Sequence, residues 1–337
     1  MKNLQYPIIQ APMSGGVSTP ELAAAVSNAG GLGFLAAGYK STEEVKKEIE
    51  SVRKLTTKAF GINTFVPSSE PVDQEELEAY RNKIEKEAVK LGTTLGATYD
   101  DDDDFRNKMQ LFIEEKVPVV SFTFGCPPAE AIEALHKNGT YVIVSVTTLV
   151  QAILAVNAGA DALCLQGIEA GGHRATFTND QTGAQEFGIL EFISVIQRNI
   201  NIPLIAAGGL MNGQDIQQAL NAGASAVQLG TAFLLCPESG TNPVHRKALK
   251  NPRFTETAIT RAFTGRRARG LVNEFLSAYT DMAPAAFPYI HQMTIPLRLT
   301  NNEEYMSLWA GTGFKQCREL PAAELVQLLM EERAITK

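Results

Sequence analysis

The sequence is sparing with the residue types that carry most dedicated site chemistry: four cysteines, four histidines and one tryptophan in 337 residues. Cys126, Cys164, Cys236 and Cys317 stand singly, without a C-x-x-C pair or a histidine at ligand spacing, which excludes a disulfide framework and a zinc site. Positive charge is in deficit, with 30 Lys and Arg against 37 Asp and Glu and a formal net charge of −7. No basic cluster is interleaved with aromatics, so nucleic acid is not an expected partner. No run approaches the roughly 18 apolar residues of a membrane helix. The opening MKNLQYPIIQAPM meets proline before a signal-length apolar segment forms, so no membrane association and a cytoplasmic location are expected. Neither a G-x-G-x-x-G after a strand nor a G-x-x-x-x-G-K-[ST] occurs, and a Rossmann dinucleotide site and a P-loop are both unsupported.

What is present is a repeat. AVSNAGGLGFLAA (25–37), AVNAGADALCLQ (155–166) and ALNAGASAVQLG (219–230) each read as the end of an alanine-rich helix, a glycine where the helix stops, and a short apolar strand. HKNGTYVIVSV (136–146) is a looser copy. Short apolar runs that alternate with helical patterns imply parallel strands buried on both faces. Eight are expected, at 8–11, 33–37, 60–64, 119–122, 141–146, 162–166, 204–207 and 227–229. Eight βα units with no strand surplus point to an α/β fold, a (β/α)8 TIM barrel, with an open doubly wound sheet as the less economical alternative.

Two regions fall outside the repeat. Residues 67–105 form a polar excursion whose helical part is placed to cover the barrel mouth, ending in the acidic run Asp100 to Asp104, expected as a solvated loop. After residue 234 the pattern turns to helices with irregular connections. The expected division is therefore a barrel over 1–234 and an added helical region over 235–337 that walls the substrate side, where Tyr279, Tyr289 and Tyr305 are available but read more simply as packing aromatics.

In such a barrel the chemistry sits at the C-terminal ends of the strands. Those ends carry Met13, Asn63, Thr123 with Phe124, Gln166, Gly208 with Gly209, and Gly230 with Thr231. Glycines after the last two strands, each with a helix soon following, let the backbone and the helix dipole meet a phosphate. Asn63 and Gln166 are amides able to donate and accept at the edge of a heterocycle, so a mononucleotide such as FMN is the expected cofactor. After the sixth strand, Gly171 and Gly172 let the loop pass close to a flat ring and deliver His173 at its edge, as a proton acceptor or, when charged, an anchor for an anion. His136, His245 and His291 lack such a setting and are expected to be structural; for Arg174 a surface role is as good as an electrostatic one.

With these residues in hand, QAPMSGG with TPELAAAVSNAGGLGFLAAGY (10–39), FGINTFVP (60–67), VVSFTFG (119–125), GIEAGGHRATF (167–177), IPLIAAGGLMNG with AVQLGTAFL (202–234) and LWAG (308–311) resemble the FMN-dependent nitronate monooxygenases, formerly 2-nitropropane dioxygenases. The similarity runs through nearly the whole chain. It implies non-covalent FMN, His173 as the catalytic group, and oxidation of an alkyl nitronate such as propionate 3-nitronate by O2 to a carbonyl compound and nitrite. It also implies cofactor contacts at Met13, Asn63, Gln166, Gly171, Gly208, Gly209, Gln228, Leu229, Gly230 and Thr231, no metal, and leaves a homo-oligomer open. The chain departs from many relatives at Ala175, Leu299 and Thr312, which concerns substrate choice rather than the flavin. Two other functions compete: a flavin-dependent enoyl-acyl-carrier-protein reductase, with a similar EAGGH loop, and a flavin-binding protein without turnover.

Overall fold

The computed structural model describes residues 4–68, 70–179 and 186–335; Ser69 of the polar excursion and the ends of the two expected regions, 1–3 and 336–337, lie outside it. Eight parallel strands form one sheet: β1 (Ile8–Gln10), β2 (Phe34–Ala36), β3 (Gly61–Phe65), β4 (Val119–Thr123), β5 (Tyr141–Val146), β6 (Ala162–Gln166), β8 (Leu204–Ala207) and β9 (Ala226–Leu229). A two-residue β7 (Gly172–His173) stands apart from them. The order β1-β9-β8-β6-β5-β4-β3-β2 brings the last strand beside the first, and a parallel bridge from Ile9 to Leu32 joins the two edges into a barrel. Each expected strand is found within two residues of its anticipated ends.

The strands were legible because their environment is uniform. Side chains pointing outward, such as Ile62, Val120, Val144 and Leu163, pack under the helices, while those pointing inward, Ile9, Phe34, Ile143, Cys164 and Ile205, fill the barrel interior. Buried on both faces, such strands read as unbroken apolar runs. The repeat's glycines also act as expected: Gly30, Gly159 and Gly223 end their helices at φ of 96°, 104° and 111°, a region that penalises a Cβ.

The chain after Leu234 holds more than helices. Two short strands, β10 (Thr257–Thr260) and β11 (Ala268–Leu271), form an antiparallel hairpin, and β11 also pairs with β7, placing Ala268 opposite His173. The expected division at 234 is crossed again by the helix Ala322–Ile335, which packs on Gly213–Asn221 and Pro20–Asn28 and completes the outer ring. After β9 the chain makes only the short 3-10 turn Thr231–Phe233, so this distant helix fills the vacant position.

The polar excursion holds the helix Gln74–Lys90, N-capped by Asp73. It buries Leu77, Tyr80, Ile84 and Ala88 against the helix Tyr289–Arg298, the lid helix whose His291, Ile295 and Arg298 line the barrel mouth, so it backs that lid instead of covering the mouth itself. The acidic run is not simply solvated. Asp103 pairs with the Lys108 ammonium at 2.9 Å, and that lysine is fully buried. Asp103 also accepts the Tyr39 N–H at 2.8 Å, Asp104 accepts from the Thr42 hydroxyl, and Asp100 accepts from the Tyr289 hydroxyl. Like charges diverge along this loop because each of these three has its own partner, and only Asp101 and Asp102 cap their own turn.

Candidate active site

A cavity of about 480 Å³ opens at the C-terminal ends of the barrel strands, within the ~300–1,000 Å³ typical of small-molecule sites. Met13, Asn63, Gln166, Gly171, His173, Gly208, Gly209, Gln228, Leu229, Gly230 and Thr231 all line it. Residues from five βα units thus converge on one space. The opposite wall comes from the C-terminal region and contributes Thr264, His291, Arg298 and Trp309.

The glycines before His173 have two different causes. A Cβ on Gly171 would stand 2.4 Å from the Gly311 nitrogen and 2.5 Å from the Ala310 carbonyl carbon, so the loop is pressed against the WAG segment, a protein neighbour and not a ring. Gly172 has open space around its missing Cβ and is required by its φ of 73°. Together they turn the chain into β7, whose pairing with β11 fixes the His173 backbone.

The His173 imidazole meets Trp309, Phe124 and Phe287 at ring centroid separations of 5.5, 5.7 and 6.1 Å. Its Nε2 lies 2.9 Å from the Thr264 hydroxyl, which is also 3.1 Å from the Arg266 carbonyl. If that hydroxyl donates to Arg266, Nε2–H donates to Thr264 and Nδ1 is an acceptor. If it donates to Nε2, Nδ1–H is a donor. Withdrawal from solvent, with the Arg266 and Arg298 guanidiniums nearby, pushes the imidazole down to about 3, so it is neutral at pH 7. Of the two roles anticipated for this histidine, the permanently charged anchor is therefore disfavoured.

The amides differ. Gln166 is largely spent on the protein: its Nε2 donates to the His173 carbonyl at 2.9 Å, and its Oε1 accepts from Ala175 N at 2.8 Å and Arg174 Nη1 at 3.0 Å. It braces the histidine loop. Arg174 is only 2% exposed and donates to the Gly167 carbonyl at 2.6 Å, so it has no surface role and is part of the same brace. Asn63 uses its Nδ2 on Ser121 and Thr123, with Oγ distances of 2.8 and 2.9 Å, and its Oδ1 accepts nothing among the described residues. That oxygen is free to accept an N–H from a heterocycle in the cavity.

The expected phosphate site needs correction in its cause. The helix Gly213–Asn221 has no free N-terminus: Asn212 and Asp215 form a capping box, Asp215 accepts from Met211 N, and Gly213 N donates to Glu332. An acidic side chain there repels an anion. What remains are the loops themselves, where Gly208 and Gly209 turn at φ of 123° and 71°, and where the N–H groups of Gly209 and Gly230 donate to no acceptor among the described residues. A glycine-lined floor at one end and a free amide oxygen at another fit a group with a phosphate tail and a planar, hydrogen-bonding head.

Several lining residues escaped the sequence reading. Tyr39 follows β2 and was within reach of the strand-end rule. His291 and His245 line the cavity despite being expected as structural, whereas His136 sits outside it, 2.9 Å from Asp161. Burial pushes His245 down to about 4, and burial with the nearby Arg298 pushes His291 to about 2. Arg298 had no local signal, nor did Phe287, which stands behind the lining with its ring 6.1 Å from that of His173. Tyr279 and Tyr305 pack away from the cavity and share Glu87 as acceptor at 2.6 and 2.7 Å.

Comparison with known proteins agrees with this arrangement. The sequence profile of the family described as nitronate monooxygenase matches residues 1–332. The nitronate monooxygenase of Pseudomonas aeruginosa is 42% identical over 98% of this chain and 96% of its own length. The solved structure of nitroalkane oxidase from Streptomyces ansochromogenes superposes with a TM-score of 0.96 at 44% identity, covering 99% of this chain and 97% of that one. FabK from Thermotoga maritima superposes with a TM-score of 0.77 at 29% identity, covering 99% and 94%. The fold, the strand-end cavity and the match along the whole length lead to one conclusion: this chain is an oxidoreductase belonging to the nitronate monooxygenase family.

Proposed function

We propose that this protein binds FMN non-covalently and oxidises alkyl nitronates, such as propionate 3-nitronate, with O2 to a carbonyl compound and nitrite, with His173 as the catalytic group. The observation that carries the reading is the setting of His173: a neutral imidazole on the cavity wall, bonded on one nitrogen to Thr264 and without a described partner on the other. Flavin, when bound, supplies the redox chemistry. Met13, Asn63 and the glycine loops after β8 and β9 would hold it, with Asn63 Oδ1 as an acceptor for its pyrimidine edge.

The chain's own residues bind and orient the substrate. An anionic nitronate favours the arrangement in which Thr264 donates to Nε2, because Nδ1–H is then a donor toward the anion at no cost in imidazole charge. Phe124, Phe287 and Trp309 exclude water from the same space and strengthen that hydrogen bond.

Purified protein is expected to show flavin absorption, to release FMN on denaturation, and to liberate nitrite from propionate 3-nitronate under air. Consumption of NADH with an enoyl thioester, without nitrite release, would favour the reductase instead. Bound flavin with neither activity would leave a protein without turnover.

A further inference from the structure

Among the described residues, Arg298 is the one formally charged side chain on the cavity wall. The described lining contains no aspartate, glutamate or lysine, and its three histidines are held neutral by burial, with values pushed down to about 3, 4 and 2 for His173, His245 and His291. Arg298 itself is lowered by withdrawal from solvent only to about 10, so it stays a cation at neutral pH.

Its guanidinium is aimed and left open. Nε donates to Thr294 Oγ1 at 3.1 Å and Nη2 to the His291 carbonyl at 2.7 Å, both within the helix Tyr289–Arg298. Nη1 makes no hydrogen bond and the group makes no ion pair among the described residues. Arg174 and Arg266, which are more deeply buried, spend donors on the Gly167 and Thr176 carbonyls. A cation drawn partly out of water with no anion beside it is a standing cost that a bound anion would remove. The field of Arg298 falls on Tyr39, His173 and His291, which place its charge on the same wall as the imidazole.

Resting on the nitronate reading above, we propose that Arg298 binds the nitronate oxygens and is the residue through which the enzyme selects the anion over the neutral nitroalkane. The two molecules differ by one proton on carbon. A nitronate carries its charge on two oxygens of a planar group, and guanidinium N–H donors suit such a group. Aromatic rings and Ile295 offer nothing that separates the two by charge, and the neutral imidazole contributes a single N–H donor without a charge of its own.

The test uses the full-length flavin-loaded protein and its Arg298→Met and Arg298→Lys variants. Steady-state kinetics with propyl-1-nitronate are paired with calorimetric titration of sodium nitrate, a planar oxyanion that is not turned over, and of neutral 1-nitropropane. Arg298→Met should lower kcat/KM for the nitronate on the order of a hundredfold, chiefly through KM, as expected for losing a hydrogen bond to a charged group. It should abolish nitrate binding and change nitropropane binding by less than about threefold, with Arg298→Lys restoring part of both losses. Equal losses for nitronate and nitropropane, or nitrate bound as tightly by Arg298→Met, would overturn the proposal. Should Arg298→Met fail to fold, Thr294→Val removes the aiming bond and is read by the same pair of titrations. Nitrate binding that depends on Arg298 in a protein that turns over no nitronate would uphold the anion site and overturn the reaction assigned to it.

Discussion

Tyr39 and His291 stack face to face, with ring centroids 4.1 Å apart and planes 6° from parallel. Tyr39 comes from the loop after β2 and His291 from the lid helix, so the pair is a point where barrel and lid are joined across the cavity rim. Tyr39 sits at a φ of 68°, a conformation a tyrosine seldom adopts, and the Asp103 carboxylate on its N–H holds it there.

Breaking the support of that stack should therefore be costly. Lys108→Met leaves the Asp103 carboxylate without its ammonium, and urea unfolding should register a loss of about 2–4 kcal/mol, below the full value for a buried pair because Asp103 keeps some solvent. Adding Asp103→Asn should recover part of the loss, since no charge is then left unpaired. A single variant as stable as the parent would show the pair to be incidental.

His173→Asn should retain flavin absorption and lose nitronate oxidation by at least about a hundredfold, the usual share of a positioned proton-handling group. Nitrite release within a fewfold of the parent would remove His173 from the catalytic assignment.

The two glycines before it should respond unequally. Gly171→Ala drives a methyl into the Gly311 backbone, which cannot give way as a flexible side chain would, and should cost about 1–3 kcal/mol together with flavin content. Gly172→Ala meets no neighbour and pays only for its positive φ, about 1–2 kcal/mol. Thermal unfolding and the flavin-to-protein absorbance ratio separate the two; identical behaviour would contradict the close packing against the WAG segment.

Three histidines pushed down to about 3, 4 and 2 make stability depend on pH. Each is neutral when folded but binds a proton in the unfolded chain near its ordinary value of about 6.5. Their contribution is complete above that pH and is lost as pH falls toward the folded values, at up to about 1.4 kcal/mol per pH unit for each histidine. All three line the cavity, but His173 and His291 are half-buried there and should contribute less than His245, which is 7% exposed. Denaturation midpoints between pH 7.5 and 5 should fall less steeply for His245→Gln than for the parent; parallel curves would refute a buried neutral histidine there.

Much of the barrel was readable from residues alone because its information is local. A strand packed on both faces must be apolar throughout, and the helix before it must end on a residue that tolerates positive φ, so Gly159 and the run ALCLQ announce each other. The glycine rim was readable for the same reason. The rule of looking at strand ends would also have found Tyr39 had it been applied after β2. The acidic run misled because adjacent aspartates look solvated until their partners, Lys108, Thr42 and the Tyr39 backbone, are brought near. The helix after β8 misled in the opposite sense, since the acid that fills its N-terminus, Asp215, is a local feature whose capping role closes an anion site.

By itself, then, the sequence determined the eight strands, their parallel arrangement, and the placing of His173 behind two glycines, all consequences of backbone conformation and burial within stretches of a dozen residues. The tertiary structure alone decided what faces that histidine. Arg298 and His291 are more than a hundred positions away on a lid helix of ordinary pattern. The two four-residue strands of the hairpin pair with each other, and one of them, β11, reaches Gly172 and His173 from nearly a hundred positions away to fix β7. Charge and hydrogen-bond partners act through space, and no local pattern of residues encodes which of them will share one cavity.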